Sequence, residues 1–352
     1  MLLKVETLLP LGKVDPGLRK PEKSYDLKRI FEDSATVESL GYDGIMFEET
    51  KHDPFIASAL AAQSTSRINI GTAVAMAFPR SPTIVAMSAW NIQKISNGRF
   101  ILGLGSQVKG HVERRFGMKW SPPGPWLKEY VLAVKEIWSS WQESRQPKIN
   151  GKFYNINLSV PLFDPGPIEN PNIPIHLAAV NKFMTRVAGC VADGVRPHPV
   201  CTPSYIREIM VPEIEIGLET SSNKNREFSI AIKPLIATGA TKHELEKAKD
   251  IVKARIAFYG ATRAYRAAFE FNELNSLADQ LSRLAKEKKW DEMPHLISDE
   301  VLFEYACVGL HDEIAGVVKN KYQDIVTNVE FSLSENHPFP QLKQVIARLQ
   351  SN

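Results

Sequence analysis

The chain has 352 residues, of which 43% are apolar and 24% charged, and its 43 basic and 40 acidic side chains leave a net charge of +3. That apolar fraction excludes a disordered chain and supplies a sizeable core, while charge spread along the whole length offers no basic face for a nucleic-acid backbone. Three cysteines without CxxC spacing argue against a disulfide framework or zinc ribbon and fit a reducing cytoplasm; no run of eighteen apolar residues offers a membrane span, and Lys4 and Glu6 interrupt the N-terminal apolar run that a cleaved signal needs.

Strand-like and helical patterns alternate from the start. LLKVETLL, near residue 2, reads as the first strand and carries Glu6 toward its end. SYDLKRIFEDSATVESLG reads as a helix with Leu27, Ile30, Phe31, Val37 and Leu40 on one stripe and Gly41 where a left-handed C-cap belongs. YDGIMFEE, near residue 42, is the second strand; it ends in Glu48 and Glu49, and period-two alternation turns only one of them inward. Thr50, Lys51, His52 and Asp53 follow. His52 beside Asp53 is either an acid-base pair or, with Pro54 next, the start of a helix that Asp53 leads.

The third strand, RINIGTAVAM near residue 67, ends in the small residues Gly71-Thr72-Ala73-Val74-Ala75 before a Phe-Pro-Arg-Ser-Pro turn. The fourth, GRFILGLGS near residue 98, ends in Gly103-x-Gly105-Ser106; Val108 stands where a dinucleotide fingerprint needs its third glycine, so that motif fails. Either the glycines serve close packing, or Gly105 and Ser106 let backbone approach a flat or phosphorylated ligand. IPIHLAAV near residue 173 is the fifth strand, and ADGVRPHP near residue 192 is the sixth, followed by His198 as a ligand-contact candidate. PSYIREIMVPEIEIGLE places Ile206, Ile209 and Met210 at helical spacing, with Pro212 expected to kink or interrupt it. FSIAIKPLIATG near residue 228 is the seventh strand, TKHELEKAKDIVKARIAFYG opens with a Thr241/Glu244 capping box, and DIVTNVEFSL near residue 324 is the eighth strand.

Eight units in which several strands are continuous apolar runs indicate an α/β fold of the (β/α)8 TIM-barrel type, as one domain over residues 1–352. Insertions are expected after the fourth and seventh strands: 106–172, with a hairpin-like KINGKFYNINLSV, and 259–323, helical. The histidines show neither HxH nor HExxH spacing and no GxSxG elbow appears, so neither a metal site nor a serine hydrolase is expected. Phe78, Trp120, Trp126, Phe153 and Tyr259 either line an apolar pocket or pack the loops.

GRFILGLGS, ERRFG, EYVLAVKEIW, GKFYN and PIHLAAVNKFMTRVAGCVADGV together resemble the bacterial luciferase-like superfamily of flavin and deazaflavin oxidoreductases, over essentially the whole chain. ETKHDPF, ADGVRPHPVCT, IAFYGATRAYRAAFE and KKWDEMPHLISDEVLFEYACVG are similar to its F420-dependent branch. The resemblance implies a homodimeric barrel that holds coenzyme F420 (8-hydroxy-5-deazaflavin), or FMN as the alternative, at its C-terminal mouth and moves a hydride to or from a small organic substrate. It implies a bulge with a non-proline cis peptide at Ala73-Val74 behind the ring. Gly105, Ser106 and Gln107 are implied at the ring or ribityl chain, and Ala178, Ala179, Val180, Asn181 and Lys182 at the phosphate, although many relatives have glycine and proline at the positions of Asn181 and Lys182. Sugar-phosphate and alcohol oxidisers of the superfamily carry Asp-His where this chain has Glu49-Thr50, and a glutamate where it has Gln107-Val108, so sugar-phosphate oxidation is not expected. Glu49, His52 and Glu6 remain as proton-handling candidates. Three functions follow in order: an F420-dependent oxidoreductase, an FMN-dependent luciferase-like monooxygenase, or a catalytically inactive cofactor-binding paralogue.

Overall fold

The eight apolar segments become strands of a closed parallel barrel in the computed structural model, which describes residues 2–11, 24–333 and 339–351. In chain order the strands are β1 (Lys4–Leu8), β2 (Gly44–Phe47), β3 (Asn69–Thr72), β4 (Ala75–Met76), β5 (Phe100–Gly105), the hairpin β6 (Ile149–Asn150) and β7 (Asn155–Ile156), β8 (Ile175–Ala179), β9 (Gly194–Pro197), β10 (Ser229–Ile232), β11 (Leu235–Gly239), β12 (Ala306–Leu310) and β13 (Asn328–Glu330). Around the barrel the order is β3-β2-β1-β13-β10-β9-β8-β5, with β4 continuing the line of β3 along β5. The ring closes through Ile70 opposite Phe100 and Gly71 opposite Ile101, then Ala75 opposite Leu104.

Residues paired across parallel strands share a side, so the register sorts every strand into two faces. The outer face carries Val5, Ile45, Phe47, Ile70, Phe100 and Leu102, all buried beneath the surrounding helices. Inward-facing positions differ: Glu6 lies opposite Glu330 and Gly44, Gly103 opposite His176, and Ala178 opposite Arg196. An apolar outer face with helices on it is what holds a parallel barrel together, which leaves the inner face free to be polar.

The run of small residues at the end of the third barrel strand has a specific cause. Between β3 and β4 the ladder is interrupted, and the Ala73-Val74 peptide is cis. At the gap the Thr72 hydroxyl substitutes for backbone, accepting from Gly103 N at 2.9 Å and donating to Gly103 O at 2.6 Å. Gly103 must lack a side chain, because a Cβ there would sit 1.9 Å from the Thr72 carbonyl oxygen. Buried backbone groups are thereby satisfied where the regular ladder lapses.

Local sequence signals set the helix ends. Gly41 caps α1 (Ile30–Leu40) at φ +95°, Asp53 caps α2 (Pro54–Ser64) by accepting from Phe55 N at 2.8 Å, and Ser81 caps α3 (Pro82–Ile95). The chain continues through α4 (Lys109–Arg114), α5 (Pro123–Gln142), α6 (Lys182–Val191), α7 (Pro203–Tyr205), α8 (Val211–Glu219) and α9 (Lys242–Gly260), the last opening with the Thr241/Glu244 capping box. Pro212 acts as expected: a π-helical turn, Ile206–Met210, joins α7 to α8 just ahead of it, because a residue without an N–H cannot continue the regular bonding.

Two expectations are corrected. The α1 stripe holds Ile30, Val37 and Leu40 with Ser34, whereas Leu27 and Phe31 are 39% and 48% exposed. Leu27 belongs to a short 3-10 turn before the helix, and Phe31 is rotated about 100° from Ile30 on a 3.6-residue helix. The segment FSIAIKPLIATG contains two strands instead of one. It breaks at Lys233-Pro234, and β11 leaves the barrel to pair in parallel with β12 in a separate two-stranded sheet. The second excursion therefore begins at β11, and part of what reads as helix in 259–323 is β12. The hairpin in the first excursion is present as β6 and β7, and its turn is held by Glu129 of α5, which accepts from Lys152, Phe153 and Tyr154 backbone N–H groups.

Candidate active site

The C-terminal ends of the barrel strands surround one cavity of about 740 Å³, within the range of small-molecule sites. Its walls are of two kinds.

The wall on the β3–β5 side is apolar and flat. The Val74 side chain lies across the end of β5: a Cβ on Gly105 would be 2.7 Å from Val74 Cγ2, and one on Gly103 would be 3.2 Å from Val74 Cγ1. The G-x-G pair thus lets one isopropyl group cover the inside of the strand, and Ala178 extends the same surface from β8. Beneath it Leu8, Met46, Ile101 and Ala73 form a small apolar cluster of their own. Gln107, two residues beyond the strand, has φ +55° and accepts from Val108 N at 2.8 Å through its side-chain oxygen.

The opposite wall and floor are charged. Glu6 of β1 accepts from Arg196 Nη2 at 3.0 Å and from Asn328 Nδ2 at 2.7 Å, so β1, β9 and β13 are tied through the barrel interior. Lys233, one residue beyond β10, donates to Glu48 at 3.0 Å and lies 3.4 Å from Glu330 at the end of β13. Burial pushes the Glu330 carboxyl up to about 7 from an ordinary 4.5; Lys233 opposes the shift and the Glu48 charge adds to it. Arg196 faces the cavity, and among the described residues its buried Nε has no hydrogen-bond partner. Below it His176 is held neutral, since burial first and the Arg196 charge second push its pKa well below the imidazole range.

A third side is aromatic. His198 stacks on Tyr265 with centroids 4.0 Å apart and meets Tyr259 of α9 edge-on at 4.6 Å. Its Nδ1 accepts from Val200 N at 3.3 Å, which fixes the ring.

Of the residues singled out in the sequence, Glu49, Ala73, Val74, Gly105, Ser106, Gln107, Ala178, Ala179, Val180, Asn181 and His198 line this cavity. Lys182, His52 and Glu6 are not among its lining residues. Lys182 is exposed at the start of α6, where the Asn181 side chain caps the helix by accepting from Met184 N at 2.9 Å. His52 lies against the Tyr25 ring at 4.9 Å. Glu6 is buried beneath the floor. Both oxygens of Glu49 are engaged: Met76 N donates at 2.7 Å and Arg80 Nη1 at 2.9 and 2.7 Å, while Arg80 Nη2 reaches Asp53 at 2.9 Å. The expectation that only one of Glu48 and Glu49 turns inward is corrected, because β2 ends at Phe47 and strand alternation stops before either glutamate; both line the cavity. Trp120 and Tyr259 also line it, whereas Phe78 stacks on Trp126 at 3.6 Å and, with Phe153, packs the loops.

Arg196, Lys233 and Glu330 are functional candidates that the sequence reading passed over. Arg196 and Glu330 are charges near the C-terminal ends of their strands at positions that the register turns inward, and Lys233 directly follows β10. Among the described residues no group of three or more His, Cys, Asp or Glu side chains has metal-binding geometry, and no helix is long and apolar enough to cross a membrane.

Comparison with known proteins adds the following. A family model described as luciferase-like monooxygenase matches residues 10–328. An uncharacterized protein of Mycobacterium tuberculosis is 39% identical over 303 residues, covering 86% of this chain and 89% of that relative. The 5,10-methylenetetrahydromethanopterin reductase of Archaeoglobus fulgidus is 23% identical over 318 residues, covering 89% of this chain and 90% of that enzyme. Among solved structures, the coenzyme F420-dependent tetrahydromethanopterin reductase of Methanopyrus kandleri superposes with a TM-score of 0.74 at 18% identity, over 99% of this chain and 97% of that one.

Proposed function

The chain belongs to the luciferase-like monooxygenase family, and on that footing we propose that it is an oxidoreductase that holds coenzyme F420 at the barrel mouth and transfers a hydride between it and a small organic substrate. The observation that carries this reading is the flat wall in which Val74 covers Gly103 and Gly105, facing a charged floor across one cavity. A planar tricyclic ring needs a shallow apolar backing, and one isopropyl group lying over two glycines would supply it. The relatives point the same way, since the Methanopyrus kandleri structure is that of an F420-dependent enzyme.

When bound, a 5-deazaflavin supplies hydride chemistry at a ring carbon. The protein's part is positional. Val74 and Ala178 would back the ring and Ser106 and Gln107 would border it, with Ala179, Val180 and Asn181 on the side toward α6. His198, Tyr259 and Tyr265 wall off water, and the charged floor orients the substrate's polar group. Two copies of the chain pairing through α2 and α3, where Ile56 and Ile84 are 58% and 52% exposed, complete the reading; light scattering on the purified protein tests that part.

Fluorescence titration of the purified protein with F420, and separately with FMN, tests the cofactor. The expected result is micromolar or tighter F420 binding, about tenfold or more ahead of FMN, a difference of about 1.4 kcal/mol. Preference for FMN overturns it in favour of a flavin-dependent monooxygenase, and binding of neither favours a paralogue without redox chemistry.

A further inference from the structure

Three carboxylates and two cations meet inside the barrel. Glu6 comes from β1, Glu48 from the end of β2 and Glu330 from β13; Arg196 comes from β9 and Lys233 from the residue after β10. Their partners are unequal. Glu6 accepts two good hydrogen bonds, from Arg196 and Asn328, and Glu48 accepts one from Lys233 at 3.0 Å. Glu330 has the weakest hold, an ion pair with the same Lys233 at 3.4 Å, although its side chain is only 11% exposed and lines the cavity. Two cations among three carboxylates in a poorly solvated interior leave one carboxyl better off protonated.

We infer that Glu330 is that carboxyl and that it hands a proton to the substrate, with a carbonyl oxygen as the acceptor. This rests on the hydride-transfer reading. As the carbonyl carbon gains a hydride, the C=O π pair moves to oxygen, and the oxygen takes the proton as the Glu330 O–H bond breaks. The carboxylate that remains faces Lys233. The two electrons come from the reduced deazaflavin, the product is an alcohol, and Glu330 regains a proton from solvent through the open cavity. In the reverse direction Glu330 is the base for the alcohol.

The charged groups facing Glu330 are Lys233, Glu48, Arg196 and Glu6. Burial raises its pKa to about 7 from 4.5, so the folded protein binds the proton more tightly than the unfolded chain does. Stability contributed by this proton is fully present below about 4.5 and is lost as pH rises through about 7.

The first test uses the ligand-free protein. In an infrared difference spectrum of wild type minus Glu330→Gln, a protonated-carboxyl band is expected at pH 6, disappearing with a midpoint of about 7. The melting temperature of wild type relative to the variant is expected to fall between about pH 4.5 and 7 and to level off above that. Lys233→Met, which does not depend on the first variant folding, is expected to move the midpoint to higher pH. Absence of the band together with a pH-independent difference in melting temperature overturns the proton assignment.

The second test uses reduced F420 with cyclohexanone, 2-butanone and benzaldehyde. Glu330→Gln is expected to retain F420 affinity and to lower kcat by about 100-fold or more, the usual contribution of a general acid. Turnover within threefold of wild type overturns the catalytic role. If the wild type binds F420 and reduces none of the three, the carbonyl assignment falls. If it does not bind F420 the cofactor reading falls, while the ligand-free measurements still decide where the proton resides.

Discussion

The two halves of the barrel interior are built on opposite principles. On the β2–β3–β5 side the space is filled by contact: Val74 rests on Gly103 and Gly105, and Leu8, Met46 and Ile101 fill what lies beneath. On the β9–β10–β13 side it is filled by charge, with Arg196 and Asn328 bonded to Glu6 and Lys233 paired with Glu330. The first half is therefore expected to resist an added atom, and the second to resist the loss of a charged partner. Substitutions that respect one rule and violate the other separate them.

The largest effect is expected in the charged half. Arg196→Met keeps the volume and strands Glu6, whose oxygens are buried, so chemical denaturation should show a loss of about 3–5 kcal/mol. The companion Glu6→Gln in the same chain should return most of it, because the stranded charge is gone. If the single and double variants are equally unstable, Arg196 acts through packing and the contrast between the halves weakens.

Next comes Gly103→Ala in the contact half. The added Cβ meets the Thr72 carbonyl at 1.9 Å, which is backbone and not the end of a flexible side chain, so a loss of about 2–3 kcal/mol is expected. Thr72→Val, nearly the same size, removes the hydroxyl that both donates to and accepts from Gly103. It should lower stability by about 2 kcal/mol, since buried backbone groups are left without partners. Both are read from thermal or urea unfolding, and neither should depend on salt or pH. A strong salt dependence would mean that charge reaches into this half as well.

How much of this was legible in the sequence follows from the same contrast. The strand face packed under the helices must be apolar, so all eight barrel strands stood out, and caps such as Asp53-Pro54, Ser81-Pro82 and Thr241/Glu244 are local chemistry that needs no tertiary information. The second sheet did not stand out, because β10 and β11 form one apolar run and only Lys233-Pro234 marks the break between them. In the cavity, small residues flagged the contact half, where Gly103, Gly105 and Ala73 sit close together in sequence or on adjacent strands. The charged half is assembled from β1, β9, β10 and β13, far apart in the chain, and Arg196, Lys233 and Glu330 each stand singly at or just beyond a strand end. The register that turns Arg196 and Glu330 inward, and the ion pair from Lys233 to Glu330, are what place them in one interior.

The smallest effect, and the sharpest discriminator, is expected at Glu49. It lies at the cavity edge beside the contact half, yet it is a charge, and its side chain is 10% exposed against 20% for its partner Arg80. Met76 N and Arg80 occupy its oxygens, and Arg80 also holds Asp53, so Glu49 clamps the loop after β2 to β4 and to the start of α2. Glu49→Gln keeps the shape and one acceptor, and should cost about 1 kcal/mol in stability by urea unfolding, well below the loss at Arg196 because part of the pair is solvated. A clamp also predicts how kinetics change: F420 affinity should weaken slightly through Val74, which β4 follows directly, while the pH dependence of kcat should stay where Glu330 sets it. If kcat instead collapsed with stability and F420 affinity intact, proton handling would belong to the loop after β2, and the charged floor would be a scaffold for the barrel alone.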